Sequence, residues 1–309
     1  MFPKLPEDVI DAVRAVFATA NDRVSDLMMK QPAMHEEGLD FHLVSKLDEV
    51  GALLVPSGTA VAIETHWLGG RRHWGRWEIS DIAIVIVVRA AGGQLVRKVA
   101  LLQTKRLYTR EIPVETRDRS DYEIGIGRLV DKGKKLTPLF HQRKFTFTSE
   151  CVYGALQSGS EQITHINDYT SERGIPVYYA LYNPSEIPSS GVHPQVIRPE
   201  SPADNVVGCR VLTNDEVNLA LDGLPIGTTP TFGKMVNIDR KSTFDPFAVH
   251  GWRLENFIAD EVMRCREGRI FDGSQDEALE GLLYRRSAPI TSAIVVTIDL
   301  PESELKYDD

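Results

Sequence analysis

The stretches WEISDIAIVIVV (residues 77–88) and VALLQTKRLY (residues 99–108) decide the fold and place its chemistry. Each contains a run of β-branched and aliphatic residues, which is typical of a buried strand. The first run begins directly after Asp81, and the second ends in the polar sequence QTKR. Because successive side chains of a strand point to opposite faces, Gln103 and Lys105 share one face. If the two strands pair, a carboxylate, an amide and an amine converge on one point.

Length and composition describe an ordinary globular protein. The chain has 309 residues, of which 42% are hydrophobic and 26% are charged, enough for one large domain or two modest ones. No apolar run approaches the roughly 20 residues of a spanning helix, and the N-terminus lacks a secretory apolar region. The three cysteines are scattered and form no CxxC pair, which favours reduced thiols. We therefore expect a cytoplasmic protein without a membrane segment.

The charge distribution is strongly uneven along the chain. The net charge is −9, but residues 70–145 contain 17 Lys and Arg against 8 Asp and Glu, a local net charge of +9, which leaves −18 for the remainder. Such asymmetry is typical of a basic face that attracts a polyanion, although a solvated charged face is the alternative. The candidate phosphate-contacting residues are Arg71, Arg72, Lys132, Lys134, Lys135, Arg143 and Lys144.

Hydrophobic periodicity predicts an α/β protein with a mixed central sheet. The predicted strands cover 59–68, 76–88, 94–108 and 175–182, and the predicted helices cover 5–30, 35–54, 160–173, 214–224 and 249–267. A proline-rich stretch over 185–208 suggests a boundary or a flap. We therefore predict a core with N-terminal helices over 1–184 and a helical C-terminal extension over 185–309, with a strand over 292–300.

The three polar residues each need a physical explanation. Asp81 precedes seven consecutive apolar residues, where a carboxylate is costly to desolvate unless a metal, Lys105 or water compensates it. Gln103 lies among leucines, so its amide needs partners, and its carbonyl oxygen is a suitable ligand for a hard cation. Lys105 alone proves nothing, because lysine is common at strand edges. Together, the three residues fit a divalent metal and a phosphodiester.

This pattern resembles the PD-(D/E)xK nuclease superfamily, which has the restriction-endonuclease-like fold. Asp81 matches the central acid, Gln103 the second position and Lys105 the motif lysine, and Glu36 is similar to the helical glutamate of many members. More narrowly, the order SD…LLQTKRLY…PVYYALYNP resembles a bacterial family with a GxD…QAKR…YxxYN pattern that is suspected of a role in defence. The resemblance covers roughly residues 34–185.

The resemblance implies a metal-dependent nuclease that acts on DNA more than on RNA, with a role as an anti-phage effector. It implies Mg²⁺ or Mn²⁺ held by Asp81, Gln103 and Glu36, with Lys105 orienting the attacking water or stabilising the anion. Arg106 points to the opposite strand face, which favours a packing role. Many proteins of this fold dimerise, so the expected partners are nucleic acid and either a second copy or a defence-complex protein.

The sequence departs from the commonest pattern, because Gln103 replaces an acid and no proline precedes Asp81. A metal site then needs another carboxylate, for which Glu36, Glu64 and Glu78 are the candidates. The alternative is a catalytically degenerate module that binds nucleic acid or a partner protein. A third reading is a regulatory subunit that acts through its C-terminal half.

Overall fold

The structure of the chain is a computed structural model. The structure describes residues 2–32, 34–68, 78–89, 95–111, 144–187, 189–192, 207–238, 250–271, 277–283 and 289–301. The helices are α1 (Glu7–Lys30), α2 (Glu36–Asp48), α3 (Glu161–Arg173), α4 (Asn214–Leu221), α5 (Phe232–Val236), α6 (Leu254–Asn256), which continues into a π-helix (Phe257–Val262), and α7 (Glu277–Leu283).

Twelve strands are found within these ranges. They are β1 (Ala52–Leu54), β2 (Ala60–Trp67), β3 (Ser80–Arg89), β4 (Leu95–Arg106), β5 (Arg110–Glu111), β6 (Lys144–Phe147), β7 (Val177–Tyr182), β8 (Ser189–Val192), β9 (Cys209–Thr213), β10 (Trp252–Arg253), β11 (Arg269–Phe271) and β12 (Ile290–Asp299). Nine form one sheet in the order β1-β2-β12-β3-β4-β7-β9-β10, with β11 paired to β4, and β5, β6 and β8 form a separate small sheet.

The large sheet is mixed, which confirms the predicted fold class. Strand β3 runs antiparallel to β4 and parallel to β12, whereas β4 runs parallel to β7. The residues of β3 from Ile82 to Ile86 are buried without alternation, because β3 is central and both of its faces are covered. The helices predicted near the N-terminus and over 160–173 are present as α1, α2 and α3.

The chain after residue 184 is not a purely helical extension, which corrects that expectation. Strand β12 inserts between β2 and β3, and β9 pairs with β7, so the C-terminal half completes the same sheet. The predicted boundary at 184/185 would therefore cut through one sheet. The predicted C-terminal strand is present, and its run of Ala, Ile and Val is buried almost without alternation, as expected for a strand covered on both faces. Of the predicted flap, residues 185–187, 189–192 and 207–208 are described, and 189–192 form β8.

The N-terminal helices and the π-helix cover one face of the sheet. Tyr182 of β7 donates a hydrogen bond to Asp40 of α2, and the ring of Tyr178 lies 4.7 Å from that of Phe257 in the π-helix. On the same face, the buried amine of Lys98 donates to the carbonyl oxygen of Val262 at 2.7 Å. The hydrogen bond between Tyr182 and Asp40 holds α2 against the end of the sheet where β3 begins and β4 ends, and the other two contacts hold the π-helix against the same face. No helix among the described residues is long and apolar enough to cross a membrane.

Candidate functional site

The site lies where β3 and β4 separate. The ladder between them ends at the pair Ile82 and Leu102, while β4 continues beside β7 as far as Arg106. The backbone N–H of Thr104 lies beyond this ladder and donates to the side chain of Asp81, near the start of β3, with a distance of 2.7 Å to Oδ2. The same oxygen accepts hydrogen bonds from the Thr104 hydroxyl at 2.9 Å and from Gln103 Nε2. Asp81 is thus compensated by three donors from one short segment.

Helix α2 brings a second carboxylate to this point. Glu36 is its first residue, where a negative charge is favourable at the helix N-terminus. Its Oε2 accepts the backbone N–H of Arg106 at 2.9 Å, and its Oε1 lies 3.4 Å from Lys105 Nζ. The Lys105 side chain is only 3% exposed, and that of Glu36 is 21% exposed. The helix and the strand end are therefore joined by an ion pair that is largely shielded from water.

Arg106 anchors the chain that leads into α2. Its guanidinium donates to the carbonyl oxygen of Pro32 at 2.5 Å and to that of Met34, and it stacks over the ring of Tyr108 at 4.5 Å. Arginine suits this role because its rigid fork can serve two acceptors at once. The packing role predicted for Arg106 agrees with these contacts, which fix the start of α2 and hence the position of Glu36.

A third carboxylate, Asp40, completes the cluster and was not predicted. It lies one helical turn after Glu36 and is 4% exposed. Its Oδ1 accepts the hydroxyl of Tyr182 at 2.7 Å, and its Oδ2 lies 3.0 Å from the hydroxyl of Thr104. The sequence held a signal, because residues four apart on a helix share a face. An acid at the position after Leu39 breaks the apolar stripe of α2 and points to a polar cluster under that helix.

Burial dominates the electrostatics of the three acids. It raises the pKa of Asp40 well above its ordinary range, and the charges of Asp81 and Glu36 raise it further, against the hydrogen bonds from Tyr182 and Thr104. Burial also raises the pKa of Asp81, although the positive charge of Lys105 and the donors of Thr104 and Gln103 lower it. The pKa of Glu36 is raised by burial and lowered by Lys105. The cluster therefore favours a bound proton or a bound cation.

Two oxygen atoms of the site remain available to a ligand. Gln103 is 1% exposed, yet its Oε1 is buried without a hydrogen-bond partner. The three hydrogen bonds that Asp81 accepts all end on Oδ2, and no donor from the described part of the chain reaches Oδ1. An orphaned buried carbonyl costs about 1–3 kcal/mol, so its presence calls for a partner that completes it. Hard oxygen atoms from one amide and one carboxylate match the ligand preference of Mg²⁺ and Mn²⁺, whereas both oxygens of Glu36 are engaged by Arg106 and Lys105.

The structure thus brings Asp81, Gln103, Lys105 and Glu36 together. It does not bring the other candidate acids to them: Glu64 is exposed on β2, which β12 separates from β3, and Glu78 accepts a hydrogen bond from Thr291 at 3.2 Å. The predicted phosphate-contacting residues Arg71, Arg72, Lys132, Lys134, Lys135 and Arg143 lie outside the described residues, and of Lys144 only the backbone is described, as the start of β6.

No protein family, curated protein sequence or solved structure matches this chain in the three comparisons made. Within the described ranges, no three His, Cys, Asp or Glu side chains are grouped so that they could hold a metal ion by themselves. A cation at this site would therefore depend on the amide oxygen of Gln103 as well as on carboxylates.

Proposed function

We propose that this protein is a metal-dependent nuclease that hydrolyses phosphodiester bonds in nucleic acid, with DNA as the favoured substrate. The observation that carries the proposal is the buried, unpartnered Oε1 of Gln103, on the same amide that donates to Asp81 Oδ2. The carboxylates of Glu36, Asp40 and Asp81 outnumber the single amine of Lys105 in this cluster, so the cluster has a deficit of positive charge. Mg²⁺ or Mn²⁺ fits this deficit, with Asp81 and Gln103 as the residues that would hold it, joined by Glu36 if the metal replaces its contact with Lys105.

A bound divalent cation would supply Lewis-acid activation of water and would neutralise charge on the reacting phosphate. The chain's own residues provide the rest. Lys105 is held by Glu36 at 3.4 Å, so its amine stays within the cluster, where it would contact a phosphate oxygen or orient water once a substrate is bound. Arg106 and the Thr104 backbone keep Glu36 and Asp81 in place.

The test compares binding and cleavage in the same variants. Calorimetry of the metal-free protein with Mn²⁺ should show one site, and Asp81→Ala should abolish that heat, whereas Asp299→Ala, at the exposed end of β12, should not. Lys105→Ala should not weaken Mn²⁺ binding, because it removes a positive charge that repels the cation. It should nevertheless reduce cleavage of plasmid DNA by about 100-fold or more. Cleavage that survives both Asp81→Ala and Lys105→Ala overturns the proposal.

A second candidate is a degenerate nuclease-fold module that binds nucleic acid or a partner protein. It is favoured by Gln103 in place of an acid and by the lack of a three-acid metal group within the described residues. Calorimetry of the wild-type protein that shows no site-specific heat with Mn²⁺, together with no cleavage of DNA or RNA, supports this candidate over the first. A defence-related role, a dimeric state and a partner in a complex are further proposals that depend on whichever candidate holds.

A further inference from the structure

Asp40 is the one acid of the cluster to which the proposed function gives no task. Both of its oxygens are already engaged: Oδ1 accepts the Tyr182 hydroxyl at 2.7 Å, and Oδ2 contacts the Thr104 hydroxyl at 3.0 Å. Asp81, in contrast, keeps Oδ1 open. Because the described residues contain no metal-binding group of three acids, Asp40 is not placed as a third ligand. Its contacts point to a different role.

Thr104 links the two aspartates directly. Its Oγ1 lies 3.0 Å from Asp40 Oδ2 and 2.9 Å from Asp81 Oδ2. A hydroxyl has a single hydrogen and can donate to only one of these oxygens. When Thr104 donates to Asp81, the contact with Asp40 holds as a hydrogen bond only if Asp40 Oδ2 carries a proton and donates it to the Thr104 oxygen, a proton that burial of Asp40 favours by raising its pKa. The hydrogen bonds then run from Asp40 through Thr104 to Asp81, while Tyr182 donates to the other oxygen of Asp40.

We propose that Asp40 is a positioning residue for the metal site and that it acts on Asp81 through the Thr104 hydroxyl. This inference rests on the proposed metal site at Asp81. The chain of hydrogen bonds spans β7, α2, β4 and β3, so it ties the rotamer of Asp81 to three other elements. It fixes Oδ2 as the oxygen used inside the protein and keeps Oδ1 for a ligand. Such outer partners commonly change metal affinity by about 10–100-fold when removed.

The experiment is a double-mutant cycle read by Mn²⁺ calorimetry on the full chain. Asp40→Ala and Thr104→Val should each weaken Mn²⁺ binding about 10-fold, since each breaks the same chain. The double variant should be no weaker than Thr104→Val alone, because a protonated, uncharged Asp40 acts on Asp81 only through the Thr104 hydroxyl. The conservative variants should rescue: Asp40→Asn can donate to Thr104 and accept from Tyr182, and Thr104→Ser keeps the hydroxyl, so both should stay within about threefold of wild type.

Controls separate positioning from general stability. Tyr153→Phe removes the buried hydrogen bond of 2.6 Å that the Tyr153 hydroxyl donates to Asn183. This hydrogen bond includes no residue of the cluster, so the variant should leave Mn²⁺ affinity unchanged. Thermal unfolding identifies variants that fail to fold, and if Asp40→Ala is one of them, the Asn, Val and Ser variants still decide the question. Two results would overturn this inference without overturning the proposed function. The first is a loss of Mn²⁺ affinity in Asp40→Asn as large as the loss in a variant of a metal ligand. The second is a loss of about 100-fold in the double variant, which would mean that the effects of Asp40→Ala and Thr104→Val are independent. A wild-type protein that binds no Mn²⁺ overturns the inference together with the proposed function.

Discussion

The side-chain amide of Gln103 donates its N–H to Asp81 Oδ2 and thereby leaves its own carbonyl oxygen buried without a partner. The two residues lie on adjacent strands at the point where their ladder ends. An acid in place of Gln103 could not make this hydrogen bond while ionised. The amide therefore stabilises Asp81 in the absence of a cation and still presents an oxygen to one.

Gln103→Glu is expected to make the protein dependent on a divalent cation for its stability. Without metal, a donor to Asp81 becomes a like charge, so the free energy of unfolding should fall by roughly 1–3 kcal/mol. With saturating Mn²⁺, the added carboxylate strengthens binding, so the gain in Tm should exceed that of the wild type. Thermal unfolding with EDTA and with Mn²⁺ measures both effects.

Gln103→Leu is the matched control for that prediction. It removes the donor and the oxygen together, so it should show no larger Mn²⁺ response than wild type. Equal Tm gains with Mn²⁺ in wild type, Gln103→Glu and Gln103→Leu would contradict a role for residue 103 as a ligand.

The site residues on the strands were predictable from sequence because strand periodicity is local. Two apolar runs with polar ends place Asp81, Gln103 and Lys105 without knowledge of the rest of the chain. Asp40 was not predicted as a site residue because the prediction of α2 rested on its apolar stripe. The hydrogen-bond partner of Asp40, Tyr182, lies 142 residues further along the chain. A contact at that separation follows from the packing of α2 on β7, which no local pattern encodes.

The topology of the chain after residue 184 could not be predicted from the sequence, because it also depends on contacts between distant segments. The Ile, Val and Ala residues of β12 predict a strand, but not that it inserts between β2 and β3. An apolar run such as that of β12 fits any interior position of a sheet covered on both faces, so the run by itself does not identify the neighbouring strands. The segment 249–267 was predicted as one helix, and the structure contains β10, α6 and a π-helix instead. Positive φ at Gly251 explains the interruption at its start.

Arg106→Met is expected to loosen the start of α2. It removes the donors to the carbonyl oxygens of Pro32 and Met34, so the free energy of unfolding should fall by about 2–4 kcal/mol. Mn²⁺ affinity should fall as well, because Glu36 directly follows that segment. Urea unfolding and calorimetry measure the two effects. Arg89→Met is the matched control on β3, since its exposed ion pair with Asp299 at 3.4 Å contributes under about 1 kcal/mol.

Gly251→Ala should destabilise the protein more than Gly223→Ala does. Both glycines have positive φ, 72° and 76°, which costs an alanine about 1 kcal/mol. A Cβ at Gly223 would meet nothing within 4 Å, whereas one at Gly251 would meet the carbonyl of Val211 and lie 2.5 Å from Leu212 Cδ2. The added clash should cost about 1–3 kcal/mol more in urea unfolding. Equal losses in the two variants would show that β9 and β10 can move apart freely.

Asp40 should make the stability of the metal-free protein fall as pH rises. Its pKa is raised in the folded state by burial and by the charges of Asp81 and Glu36, so the folded protein keeps a proton that the unfolded chain releases. The stabilisation is complete below the ordinary pKa of 3.8 and is lost as pH rises from there to the raised value, at up to about 1.4 kcal/mol per pH unit. Asp40→Asn cannot ionise, so it should gain stability relative to wild type over that window in urea unfolding. Asp168→Asn, an exposed substitution on α3, is the control for the loss of one negative charge. If the free energies of unfolding of the wild type and of Asp40→Asn differ by the same amount at every pH, Asp40 does not retain a proton in the folded state.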